Sequence, residues 1–444
     1  LVAFVLFLIL GPWGRVKLGK EDEEPEFSFS KYFAMLYSAG IAAGIVFYGP
    51  AESIYHYATP SPFYPGVEAQ TAAAEPASMI YTFFHWGISA WTVYVVMALP
   101  IAYFVYRHGA PMRISTILAP WVGIDNLDSK KAKVLDTLAV LGTIGGVATT
   151  LGLVGSQFLT GLNYIWGVQM GDLGTVAMIT GLTIAFTISV ALGVRRGIAR
   201  ISTFNMVLFI VLMVTVFIFG PTAYIFNLGA EALGGYINNF IELSLYANVS
   251  GAEPTWFVGA WTIFYWAWWM SWAPFVGLFI ARISRGRTIR QVAFTGVIAS
   301  TGITIPWFAA LGGTSMFMQR TGQADILAAI GEYGVAGSGY PLFEALPLGG
   351  LLMIMFLVLI TTFFVTSADS STLALAMLTT GGKQQPSTIN RVIWGGLMGA
   401  LASLLMVIGG VDAVQAAAII LGTPFGIVII VGVWSLVKTL RHQH

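Results

Sequence analysis

The sequence predicts an all-α integral membrane protein, and three observations predict it. Hydrophobic residues make up 57% of the 444 and charged residues only 9%, against roughly a quarter charged in a soluble domain, so a soluble core could not hide the apolar surface. Apolar runs of about 20 residues, the length that crosses a hydrocarbon layer as a helix, recur along the whole chain. Basic residues gather in every second loop between those runs. The 51 glycines and 14 tryptophans suit this class, because glycine lets membrane helices approach closely and tryptophan serves both the lipid interface and pockets. The net charge of +1 argues against a nucleic-acid partner, and the absence of cysteine excludes disulfides, thiolate catalysis and cysteine-ligated metals.

The opening run, Leu1 to Gly11, is too short to span a bilayer and lacks the basic region and cleavage site of a signal peptide. It reads as the end of a truncated transmembrane helix, with sequence expected upstream, and residues 1–32 as that end plus a cytoplasmic loop. The charged stretch Gly19 to Glu26 is solvated loop. Ten spans are then predicted at 33–56, 78–106, 133–162, 173–193, 201–225, 256–282, 290–316, 345–378, 389–409 and 412–438, followed by a tail at 439–444. Between the fifth and sixth, in a linker over 226–255, Leu228 to Leu245 is amphipathic and predicts an interfacial helix on the outer side, a candidate packing surface between subunits.

Charge tests this count, since an error of one helix would scramble which loops are basic. With Gly14 to Lys31 in the cytoplasm, Arg107 and Arg113, Lys130/Lys131/Lys133, Arg195/Arg196/Arg200, Arg282/Arg285/Arg287/Arg290, Lys383/Arg391 and Lys438/Arg441 all fall on that side, and of 21 Lys and Arg only Arg320 falls outside. The opposite loops carry Glu68, Glu75, Asp172, Glu231, Glu242, Glu253, Asp325, Glu332 and Glu344.

Two spans are unusually aromatic. One carries His85, Trp86, Trp91 and Tyr94, the last three within one half of the helix circumference. The other carries Tyr265, Trp268, Trp269, Trp272 and Phe279 as a stripe at i, i+3, i+4 spacing, with Pro274 able to break the ladder beside them. A trimethylammonium group has no N–H donor, so a protein holds it on the negative faces of aromatic rings at about 0.5–2 kcal/mol per contact. An indole-lined box is the reading we favour for so dense a mid-span cluster; interfacial anchors or lipid-facing filler are the alternative. A third span reads Y-S-A-G-I-A-A-G-I-V-F-Y-G-P. Its Gly40, Gly44 and Gly49, closing on Pro50, suit either tight helix packing or an unwound section whose freed carbonyls coordinate a cation at the midplane. Late in the chain Thr361, Thr362, Thr366, Ser367, Asp369, Ser370, Ser371 and Thr372 interrupt an apolar run. Such hydroxyls often bond back to their own helix, but an intramembrane Asp369 points towards a pathway or its support, and Thr366 and Ser367 offer sodium two hard oxygen ligands. No Walker loop, H-E-x-x-H or D-D-x-x-D motif is present, which argues against energy from ATP and metal-dependent prenyl chemistry.

The run Trp261 to Arg290 resembles the signature of the betaine/choline/carnitine transporters, and the resemblance extends over nearly the full chain through F-H-W ending at Trp86, Asn205/Met206, and F-F-V-T-S-A-D-S from Phe363 to Ser370. It implies a twelve-helix protein, its first two helices mostly upstream of Leu1. The last ten would form a LeuT-type core of two inverted five-helix repeats, 33–225 and 256–438. By position it implies a substrate box of Trp86, Trp91, Tyr94 and Trp269, with Trp268, Trp272 and Phe279 completing an inner gate and Gly40 and Ala42 facing the solute from the unwound helix. The principal sodium site would take the carbonyls of Ser38, Ile41 and Phe363 with the hydroxyls of Thr366 and Ser367. Thr143 and Phe275 match a second sodium site, but Val147 stands where its second threonine is expected, and Ala42 replaces the central glycine of the family's G-x-G-x-G. Sodium-independent carnitine exchangers of the family carry an arginine where this chain has Asn205 and a methionine near Val276.

Together these imply sodium-coupled uptake of glycine betaine or a similar quaternary ammonium solute by alternating access, in a prokaryotic plasma membrane; the resemblance alone implies a homotrimer. No enzyme activity and no cofactor beyond the coupling ion is expected. Two rivals are carried: sodium-independent exchange of carnitine- or betaine-type solutes, and a non-transporting receptor or osmosensor with an aromatic cage. The family's osmosensors have long charged extensions, whereas Val437 to His444 is short.

Overall fold

The protein is described by a computed structural model over residues 1–40, 42–192 and 197–441, excepting the side chains of residues 42, 43, 190, 409–412 and 414. Apolar composition and the need to satisfy every backbone N–H within the hydrocarbon leave helices as the solution, and the one pair of strand-like residues among the described ones is Lys17 with Thr288. The helices are α1 (Val2–Leu10), α2 (Phe29–Ala39), α3 (Ala42–Tyr48), α4 (Glu52–Ala58), α5 (Ala74–Trp86), α6 (Ile88–His108), α7 (Lys130–Trp166), α8 (Asp172–Leu192), α9 (Ala199–Phe219), α10 (Thr222–Leu245), α11 (Phe264–Ile283), α12 (Ser300–Thr321), α13 (Gly349–Thr379), α14 (Thr388–Gly422) and α15 (Phe425–Leu440). Shorter turns connect them.

Among the described residues eight apolar helical stretches are long enough to cross a membrane, and two bent pairs raise the number to ten, matching the ten spans expected after the opening fragment. The bent pairs are α2 with the helical residues 44–58, at 68°, and residues 415–422 of α14 with α15, at 43°. The second bend falls at Thr423–Pro424, where proline has no N–H and its ring clashes with the preceding turn. The fifth span is shorter than expected: α9 stops at Phe219 because Gly220 is extended and Pro221 follows, and residues 222–225 open α10 instead. The second span is interrupted at Gly87, whose extended backbone separates α5 from α6 directly after Trp86.

Helices already in lipid associate through van der Waals fit rather than through hydrophobic transfer. Gly142 and Gly146 on α7 supply that fit: a methyl at either would lie 2.7 Å from Phe425 or 2.5 Å from Trp272. The broken first span lies in the middle of the bundle, with α2 and α3 packed on α13 and α4 packed on α5 and α12. The amphipathic α10 buries Ile225, Leu228, Ala232 and Tyr236 and exposes Phe226, Ile237, Ile241 and Leu245, so it is apolar on two sides.

The basic face is built as one layer. Arg107 pairs with Glu21 at 2.9 Å, Arg282 with Glu26 at 2.8 Å, and Arg285 with Glu23. Arg287 lies over the Tyr32 ring at 3.9 Å and donates to the Phe27 carbonyl, while Lys438 near the C-terminus lies over Trp121. On the other face Arg320 pairs with Glu75 at 2.8 Å. The loop before α2 is thereby fastened to the loop after α11 on the side that charge assigns to the cytoplasm. Arg195 and Arg196 lie outside the described residues.

Candidate functional site

The break in the first span positions the site. Gly40 ends α2 in an extended conformation (φ −76°, ψ −148°), and Gly49–Pro50–Ala51 separate α3 from α4. Aromatic rings lie directly on the small residues of this segment. A Cβ on Gly40 would be 2.7 Å from Trp91, and one on Gly44 would be 2.9 Å from Trp268 and 3.0 Å from Trp86. Between the two readings of these glycines, close packing is real, but what packs is the rings of Trp91, Trp268 and Trp86 rather than a neighbouring helix backbone.

All seven predicted aromatic residues face the protein interior, each at most 1% exposed. Trp86 lies edge-on to Trp269 with centroids 4.9 Å apart, Trp269 stacks on Trp268 at 5.2 Å, and Trp272 meets Trp268 at 5.8 Å. Trp91 and Tyr94 form a neighbouring group in which Tyr37 stacks on Trp91 at 5.1 Å and Tyr94 stands 6.3 Å away. Phe279 is buried on α11 but has no ring contact with this cluster among the described residues. The side chain of Ala42 lies outside the described residues. The indole N–H groups of Trp268 and Trp269 and the hydroxyl of Tyr94 are buried without a hydrogen-bond partner.

The predicted sodium ligands fall in two oxygen pairs. Ser367 Oγ donates to the Ser38 carbonyl at 3.1 Å, joining α13 to α2, and Thr366 Oγ1 donates to the Phe363 carbonyl at 2.8 Å. Asn205 on α9 donates to Thr366 Oγ1 at 3.1 Å and to the Thr362 carbonyl at 3.0 Å. Ile41 lies outside the described residues. Thr143 is buried with an unpartnered hydroxyl on α7, one turn from Gly146, whose carbonyl accepts from Trp272 Nε1 at 3.0 Å; Phe275 packs on the Trp272 ring at 5.2 Å. Asp369 is fully buried and accepts from Ser189.

Sequence reading passed over Glu52. It is fully buried at the start of α4, with Oε1 accepting from His85 Nδ1 at 2.6 Å and His56 Nε2 at 3.2 Å, and Oε2 accepting from Tyr265 at 2.6 Å and from Trp86 Nε1. His85 Nε2 lies 3.0 Å from Thr262 Oγ1. The available signal was an acid inside an apolar stretch, two residues after Pro50 and four before a histidine.

A broken central helix lies against a ring-walled site flanked by polar oxygen pairs, and solved structures share this fold. The chain resembles a substrate-bound, outward-open sodium-coupled sialic acid symporter with a TM-score of 0.59 at 13% identity, over 97% of this chain and 84% of that one. It also resembles MhsT in complex with L-phenylalanine, at 0.54 and 17%, over 92% and 89%. These likenesses establish the LeuT-type fold. The family model described as BCCT, betaine/carnitine/choline family transporter, matches residues 1–444, and the chain belongs to that family. Among its relatives are the glycine betaine transporter OpuD of Bacillus subtilis, 41% identical over 442 residues covering 100% of this chain and 85% of the relative. The ectoine/hydroxyectoine transporter of Virgibacillus pantothenticus is 38% identical over 439 residues, covering 99% and 86%. The protein is a transporter and not an enzyme.

Proposed function

We propose that this protein takes up glycine betaine or a closely similar quaternary ammonium solute in symport with sodium, by alternating access across a prokaryotic plasma membrane. The observation that carries the reading is that one broken helix serves both ligands. Its Gly40 and Gly44 seat Trp91, Trp86 and Trp268, and its Ser38 carbonyl meets the Ser367 hydroxyl. A cation drawn between α2 and α13 therefore bears directly on the segment against which the rings lie. Trp86, Trp91, Tyr94 and Trp269 hold the methylated head; Trp268, Trp272 and Phe279 form the inner gate. The free N–H groups of Trp268 and Trp269 are donors for a carboxylate, which suits a zwitterion. Similarity to a glycine betaine transporter at 41% identity points the same way.

Sodium coupling is favoured over exchange because the group bonded to Thr366 is the neutral amide of Asn205, with no fixed cation in its place. The principal ion takes Ser38, Ile41 and Phe363 carbonyls with Thr366 and Ser367 hydroxyls, and Thr143 with Phe275 marks a second. Residues 33–225 and 256–438 act as the two inverted repeats that rock against each other. The exposed apolar side of α10 suits a homotrimer contact. The test is uptake into proteoliposomes with an inward sodium gradient and with potassium in its place. Concentrative uptake only with sodium is expected; equal exchange in both would mean an antiporter, and no counterflow of labelled betaine would mean a receptor.

A further inference from the structure

We infer that Glu52 is the buried counter-charge of the aromatic box, a positioning and specificity-determining residue that acts on the bound cation through the Trp86 and Tyr265 rings. The inference rests on the box reading above. Glu52 gathers donors from three elements, His56 on its own helix, His85 and Trp86 on α5, and Tyr265 on α11. It thus ties the broken span to both helices that bring rings to the site.

The hydrogen bonds assign its ionisation. His56 Nδ1 is buried without a partner, so a protonated ring there would leave an N–H unmade at the full desolvation cost. Thr262 can donate to His85 Nε2 at 3.0 Å and accept from Tyr81 at 3.4 Å. All four side chains bonded to Glu52 can donate to a charged carboxylate. Among the described residues its only ionic partners are those two histidines. A buried carboxylate with no lysine or arginine paired to it among the described residues is costly in a membrane protein, and its complement is the onium head that the rings receive.

The coupling is physical. An N–H or O–H that donates to a carboxylate is a charge-assisted bond, and it leaves the donating ring richer in electron density. Both such rings contact Trp269: Trp86 edge-on at 4.9 Å, and Tyr265 stacked at 5.2 Å and 7°. A richer π face holds a cation more strongly. Through-space attraction adds to this and scales with the net charge of the solute, so the carboxylate favours a net cation over a zwitterion.

The test is equilibrium binding by the purified full chain, in saturating sodium, of glycine betaine (zwitterion) and choline (net cation), the latter by competition. If the unaltered protein binds neither, the box reading itself fails. If it binds, Glu52→Gln, which keeps the shape and removes the charge, is expected to weaken choline roughly tenfold and glycine betaine about threefold, with sodium-dependent thermal stabilisation unchanged. Unchanged affinities, or equal losses for both solutes together with lower thermal stability, overturn the inference and leave the box standing. Should Glu52→Gln not be recovered folded, Glu52→Asp keeps the charge and withdraws it by one methylene. Both affinities are then expected to fall with their ratio preserved, and a collapse of that ratio overturns the inference.

Discussion

Trp269 lies between the rings of α5 and α11, in contact with Trp86, Trp268 and Tyr265. Replacing it by leucine removes a cation–π contact and the stacking that holds Tyr265, so half-saturation for the solute should rise by roughly tenfold or more, with the protein still inserted; initial uptake rates measure it. Gly44→Ala is the smaller change with a sharper expectation. Its methyl would sit at 2.9 Å from Trp268 and 3.0 Å from Trp86, inside ordinary contact distance, so solute affinity should fall several-fold (about 1 kcal/mol, the lower end of an overpacking cost). Thermal stability should change little, because the box rings can give way. The two aromatic stripes were legible because helical spacing alone places those rings on one side. Glu52 was not: three of its donors lie 33, 34 and 213 residues away, and no local pattern brings them to mind.

At the scale of elements, the breaks matter more than the helices. Gly40 frees the end of α2, and the Ser38 carbonyl there accepts from α13 rather than serving only its own helix. Ser367→Ala should therefore raise the sodium concentration for half-maximal uptake by about tenfold, the loss of one charge-assisted ligand contact, while solute affinity at saturating sodium stays close to normal. A sodium titration of uptake separates the two. Glycine and proline signalled the break near Gly40, since their backbone preferences act locally, whereas the end of α9 at Gly220–Pro221 was overrun by a span expected to reach 225. The bend at Pro424 and the interruption at Gly87 were missed because each lies inside an apolar run that hydropathy reads as continuous; proline's missing N–H acts at the first and packing at the second. At Gly87 the deciding contact is Tyr236 on α10, whose hydroxyl would lie 2.7 Å from a Cβ.

For the whole molecule, the loop before α2 and the loop after α11 form one charged layer through Arg282–Glu26, Arg285–Glu23 and Arg287 on Tyr32. A chain without cysteine makes sidedness directly measurable. Single cysteines at the exposed positions Lys130 and Lys383 should resist a membrane-impermeant thiol reagent added outside intact cells, while those at Asp172, Glu231 and Glu253 should react; labelling of Lys383→Cys from outside would overturn the topology. The sequence by itself determined the class, the apolar spans and the two buried aromatic stripes, because hydropathy and helical periodicity are properties of neighbours along the chain. Tertiary structure alone decided that Gly40 and Gly44 carry tryptophans rather than helices, that Ser38 meets Ser367, and that a buried carboxylate holds Trp86 and Tyr265. Those contacts join residues hundreds of positions apart, and their energies exist only once the broken span lies between α5, α11 and α13.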